Sequence, residues 1–157
     1  MCFDLGNYFA AAIELNHISS KHGTHSNVLT LRWRTFAKAG EWRAAYEVAE
    51  VFSQVAPHIP EPWLLMAAAM RNLPDMGLVQ AADILALVAP RFQCEPKIPL
   101  TLARYTCQLG RLEEARTWWI AALSAAKQRH RACMEAESVG KLASNNKQPT
   151  GKKNDAK

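Results

Sequence analysis

Residues 110–123 read GRLEEARTWWIAAL, and the same outline occurs earlier as GNYFAAAIELNHI at residues 6–18 and GEWRAAYEVAEVF at residues 40–52. Each stretch opens on a glycine (Gly6, Gly40, Gly110). An apolar residue follows two positions on (Tyr8, Trp42, Leu112), and an alanine three beyond that (Ala11, Ala45, Ala115). A fourth copy, MGLVQAADILALV at residues 76–88, supplies Leu78 and Ala81. The four alanines stand 34, 36 and 34 residues apart. A fixed period of this size marks supersecondary units that stack on one another.

Within each copy the apolar positions step by three and four, which places them on one helical face. The predicted buried stripes are Tyr8, Ala11, Leu15 and Ile18; Trp42, Ala45, Ala49 and Phe52; Leu78, Ala81, Leu85 and Val88; and Leu112, Ala115, Trp119 and Ala122. Alanine is small enough to let a neighbouring helix come close. The leading glycine can take positive φ, so one helix can end and the next begin in a tight turn. Three of the copies follow another helical stretch: Leu29, Trp33 and Phe36 behind the capping candidates Ser26 and Asn27; Trp63, Met66, Ala67 and Met70 behind Pro62; and Leu102, Ala103 and Thr106 behind Pro99. Pro57 and Pro90 end the second helices of their units. The unit is therefore helix, short turn, helix, short loop. Of the paired tryptophans, Trp119 is assigned to the stripe, and Trp118, which points elsewhere, to a core role or a capping role beneath the C-terminal extension.

Composition agrees. Of the 157 residues, 26 are Ala and 16 Leu, against 7 Val and 6 Ile, a balance that favours helix over strand. No apolar run approaches the ~18 residues of a membrane helix. Asp4 and Glu14 interrupt any signal-peptide outline, so a soluble cytoplasmic protein is expected. The formal charge is +5, and all of the excess lies from Lys127 onward, so residues 1–126 are electroneutral. The basic end reads as a solvated tail, and nucleic acid is not the expected partner. Cys2, Cys94, Cys107 and Cys133 have no paired spacing and are expected to be reduced thiols. His17, His22 and His25 fit no ligand pattern, so no metal and no cofactor is expected. No nucleophile with a paired base, phosphate-binding glycine loop or convincing carboxylate pair is present, and a non-enzymatic role is expected.

The stretch Trp63-x2-Met66-Ala67-x2-Met70, the stretch Ala45-x3-Ala49 with Pro57, and Ala115-x3-Trp119 resemble the tetratricopeptide repeat, with its W-x2-L-G-x2-Y first helix, A-x3-F second helix and closing Pro. The phrase IPLTLARYTCQLGRLEEAR (residues 98–116) is similar to short bacterial members of that family. The resemblance covers about residues 6–126 and implies an all-α, right-handed α-α superhelix: a leading half repeat, three repeats and a C-terminal helical extension. Residues 1–143 form the expected repeat domain and 144–157 a disordered basic tail. RNLPDMG is two residues longer than the usual turn between the helices of a unit.

The resemblance further implies that first helices line a concave side. Their residues off the buried stripe are then the groove candidates: Asn27, Thr30, Arg34 and Lys38; Leu64, Ala68, Arg71 and Asn72; and Lys97, Leu100, Arg104 and Gln108. Arg34, Arg71 and Arg104 suggest a basic row. Arginine's planar paired donors suit carboxylates, so the expected partner is a protein or peptide that is acidic or ends in a free carboxylate. The alternative is a self-associating subunit, a homo-oligomer stacking through the truncated N-terminal repeat around Phe3 and Tyr8.

Overall fold

The protein is described by a computed structural model over residues 25–145, with side chains through residue 136. Among these residues are six α-helices and no strand: α1 Ser26–Ala39, α2 Trp42–Val55, α3 Glu61–Met70, α4 Leu78–Val88, α5 Lys97–Gln108 and α6 Leu112–Asn145. A single 3-10 turn, Ala89–Arg91, follows α4. Each helix packs on its neighbours in sequence, so the chain builds a row of hairpins, α1/α2, α3/α4 and α5/α6. No described helix is long and apolar enough to cross a membrane. The leading half repeat, with Tyr8, Ala11, Leu15 and Ile18, lies outside the described residues, as do His17, His22, Cys2 and the tail from residue 146.

The glycine turns form as the sequence requires. Gly40 has φ 81° and Gly110 φ 76°. The Gly40 N–H donates to the Ala37 carbonyl, and the Glu41 N–H donates to that of Phe36 at 2.9 Å. Seventy residues on, Gly110 donates to Cys107 at 3.0 Å and Arg111 to Thr106 at 2.9 Å. The same two bonds thus satisfy the last carbonyls of α1 and α5. The middle turn is the long one. Gly77, at φ 90°, reaches back to the Met70 carbonyl at 3.0 Å, while Leu73 folds into the core.

Helix starts differ in detail from the sequence expectation. α1 is capped by His25 rather than by Ser26 or Asn27, and the His25 Nδ1 accepts from the Asn27 N–H at 3.4 Å. Ser26 is already the first helical residue. α3 carries Pro62 in its first turn as expected. α5 begins two residues before Pro99, at Lys97 behind Pro96. Proline fits in the first turn because the N–H it lacks has no helical partner there.

The core follows the stripes. Ala45, Ala49, Ala67 and Ala81 are all 0% exposed. The larger cluster joins Ala67 of α3 and Ala81, Ala82, Leu85 and Val88 of α4 to Ile98, Leu102 and Tyr105 of α5. A smaller cluster joins Leu29 of α1 to Phe52 and Ala56 at the end of α2, with Leu65 of α3 packed against it. The buried hydroxyls of Thr35 and Thr106 are satisfied within their own helices, donating to Leu31 at 3.0 Å and Leu102 at 2.8 Å.

The last stripe departs from the expectation. Ala122 is buried, but Ala115 is half-buried, Leu112 is 66% exposed and Trp119 52% exposed. Trp118 packs against the larger core cluster, so the core role expected of Trp119 falls to its neighbour. The reason is geometric. Trp118, Ala122 and Ala125 step by four and three along the face of α6 that meets the core, with both alanines buried. Trp119 lies 100° further round, on the face that α4 presents to α5, and no described helix follows α6.

Polar contacts between hairpins repeat the period. Arg91 donates to the Pro57 carbonyl at 3.4 Å and lies over the Trp63 ring, 5.7 Å from its centre. Arg129 pairs with Glu95 at 3.1 Å, again 34 residues apart. Lys97 stands 3.9 Å from Glu61. Arg43 of α2 pairs with Asp75 in the long turn. The hydrogen bond from Arg43 holds the Asp75 carboxyl below its ordinary value. The stabilisation from this pair is present at neutral pH and is lost as pH falls through that lowered value. Exposed pairs of this kind orient the hairpins; apolar burial holds them together.

A methyl group built on Gly110 meets nothing within 4 Å. Gly110→Ala is therefore expected to cost about 1–2 kcal/mol through backbone strain alone, read as a lower urea midpoint at unchanged slope. An unchanged midpoint would show that the turn does not hold positive φ.

Candidate functional site

The three first helices share one register. Thr35 of α1, Ala69 of α3 and Tyr105 of α5 are buried at equivalent points. Counting back from them sets Thr30, Leu64 and Leu100 in equivalent places, with Arg34, Ala68 and Arg104 four residues further along. Lys38, Asn72 and Gln108 follow after four more. Steps of four keep each set on one helical face. Asn27, Arg34, Lys38, Asn72, Lys97, Leu100, Arg104 and Gln108 are exposed; Thr30, Leu64 and Ala68 are half-buried. Asn72 spends its side-chain amide on the Ala68 carbonyl at 2.8 Å, and Lys97 faces Glu61.

The arginines are not three equal members of a row. Arg71 sits just past the end of α3, outside the register shared by Arg34 and Arg104. It reaches the Tyr105 ring at 5.7 Å, and Arg104 reaches the same ring at 5.7 Å. The structure therefore brings Arg71 and Arg104 to one aromatic side chain, while Arg34 stands two helices earlier with Ala68 at the intervening position. Ring contacts of exposed guanidiniums contribute about 0.5–1 kcal/mol. Here they also fix where two positive charges point.

A concavity of about 630 Å³ lies between α5 and the first turns of α6. α5 lines it with Leu100, Arg104, Cys107 and Gln108, and α6 with Ala115, Arg116 and Trp119. Three groove candidates thus share a wall with Cys107, Ala115, Arg116 and Trp119, none of which was among the candidates. The repeat itself carried a signal for two of them: Arg116 stands where the preceding copy has Ala82, and Trp119 where it has Leu85. A smaller hollow of about 270 Å³ lies on the opposite side of the tryptophan pair, between Phe92, Pro99 and Trp118. Cys94, Cys107 and Cys133 are free thiols at the surface. Among the described residues no group of three or more His, Cys, Asp or Glu side chains is placed to hold a metal ion.

No protein-family model and no curated protein matches the chain. Solved structures do. One titled MamA RS-1 ArsTM double mutant aligns with a TM-score of 0.63 at 15% identity, over 82% of this chain and 71% of its own. One titled MamA MSR-1 C2 aligns with a TM-score of 0.60 at 16% identity, over 81% of this chain and 72% of its own. Both are helical solenoids of the tetratricopeptide type. At these identities the likeness establishes the fold, which agrees with the repeat period and with the glycine turns.

Of the five tryptophans Trp119 is the most exposed, at 52%, while Trp33, Trp42, Trp63 and Trp118 are half-buried. Trp119→Phe is expected to remove the largest acrylamide-quenchable share of the fluorescence and leave stability nearly unchanged. Trp118→Phe should instead lower stability, because it removes core contacts. The reverse assignment would restore the placement read from the stripe.

Proposed function

We propose that this tetratricopeptide-type solenoid is a non-enzymatic protein-interaction scaffold that binds a partner peptide or protein along its first helices, α1, α3 and α5. The observation that carries the reading is the shared register. Thr30, Leu64 and Leu100, then Arg34, Ala68 and Arg104, then Lys38, Asn72 and Gln108 recur at one place on successive units. An extended chain laid across three such helices meets the same kind of position at each step. That is how a repeat array builds a long binding surface from short units.

The chemistry of the face favours a carboxylate-bearing partner. Arg34, Arg71 and Arg104 offer planar paired donors, Gln108 offers an amide, and Leu64 and Leu100 give apolar side chains a resting place. Arg71 and Arg104 are already oriented by Tyr105, which lowers the entropy lost when a carboxylate docks between them.

Fluorescence anisotropy with an array of short peptides, acidic or basic and with free or amidated C-termini, tests the reading. Acidic peptides, above all those with a free C-terminus, are expected to bind, and more weakly as salt rises. Arg34→Glu combined with Arg71→Glu should weaken them by about tenfold or more at unchanged sedimentation mass. Equal binding of acidic and basic peptides, or indifference to the double substitution, contradicts the proposal. A dimer dissociated by the same double substitution would favour self-association instead.

A further inference from the structure

The groove between α5 and α6 has an internal counterpart one repeat earlier, and that counterpart is filled. In the preceding unit Ala67, Ala81, Ala82 and Leu85 are buried in one cluster with Ile98, Leu102 and Tyr105 of the next first helix. Shifted by 36 residues along the first helix and 34 along the second, the same positions are Ala103, Ala115, Arg116 and Trp119. All four line the open groove. The groove is thus the seat that a following first helix occupies elsewhere in the molecule, left uncovered by the described residues.

The open seat differs from the filled one in charge. Arg104 replaces Ala68 and Arg116 replaces Ala82, which sets two guanidiniums on the rim of an otherwise apolar hollow. Trp119 in place of Leu85 adds apolar area. We infer that this groove docks an acidic amphipathic helix of a partner protein. Its large apolar residues would sit at i, i+4 and i+7, as Ile98, Leu102 and Tyr105 do, and its carboxylates would meet Arg104 and Arg116.

Two of the chain's own first helices, α1 and α5, do not match that chemistry. α1 carries Arg32, Arg34 and Lys38 and no acid, and α5 carries Lys97 and Arg104 and no acid. Either helix of a second copy would bring like charges to the rim. The basic residues from Lys127 onward would do the same. The inference rests on the repeat geometry, and apart from Leu100, Arg104 and Gln108 it uses a different surface from the proposed peptide face.

The test uses the full chain and two synthetic helix-stabilised peptides. Both carry Ile, Leu and Tyr at i, i+4 and i+7; one has glutamate at its remaining exposed positions, the other lysine. The glutamate peptide is expected to bind and to slow alkylation of Cys107 in the groove wall, and the lysine peptide to do neither. Arg116→Glu should weaken the glutamate peptide by about tenfold with the helical circular dichroism unchanged, while Arg34→Glu leaves it unaffected. Failure of the glutamate peptide to bind, equal binding of both peptides, or an equal effect of Arg34→Glu and Arg116→Glu overturns the inference. So does a homodimer in sedimentation that Arg116→Glu dissociates, since a second copy would then hold the seat.

Discussion

The structure depends on close approach of helices at positions where the side chain is a single methyl group. Ala45, Ala49, Ala67 and Ala81 have no exposed surface, and larger apolar residues of α4 and α5 close around Ala67 and Ala81. A larger side chain at such a point would push the hairpins apart, and the burial of Phe52, Leu85, Ile98, Leu102 and Tyr105 would be lost with them. The glycine turns matter because they hold each hairpin closed at the angle this approach needs. The ion pairs between hairpins are exposed and secondary.

The last described hairpin has a definite shape. The face of α6 that carries Leu112, Ala115 and Trp119 is the face of α4 moved on by one period. In α4 it is covered; in α6 no described helix covers it, and Arg116 adds positive charge where the covered copy has alanine. The same mechanism that packs the interior therefore sets the geometry of the groove, and the departures from the repeat set its chemistry.

Much of the architecture was legible in the sequence because period and stripe are local properties. The 34-residue recurrence located the hairpins, Gly40 and Gly110 located their turns, and Pro57 and Pro90 located the ends of α2 and α4. What the sequence reading misplaced depends on neighbours. Trp118 and Trp119 are adjacent, and which of them enters the core is settled by the helix that lies beside them and by the absence of a described helix beyond. The contact of Arg71 with Tyr105 joins two units, and neither residue's own helix indicates it. His25 displaced Ser26 as the cap because an imidazole nitrogen, like a hydroxyl, can accept the bond at a helix start. The register of the groove candidates was readable from spacing; in the wall supplied by α6, Ala115 and Trp119 were hidden because the stripe assigned them to a buried face.

The most direct measurement compares the same enlargement at two equivalent alanines. Ala81 is fully enclosed, and Ala115, one period later, borders the open groove. Ala81→Leu is expected to lose about 1–3 kcal/mol of stability in urea denaturation through overpacking, while Ala115→Leu stays within about 0.5 kcal/mol. Equal losses at the two sites would contradict the account, because they would mean that the seat beside α6 is as tightly filled as the one beside α4.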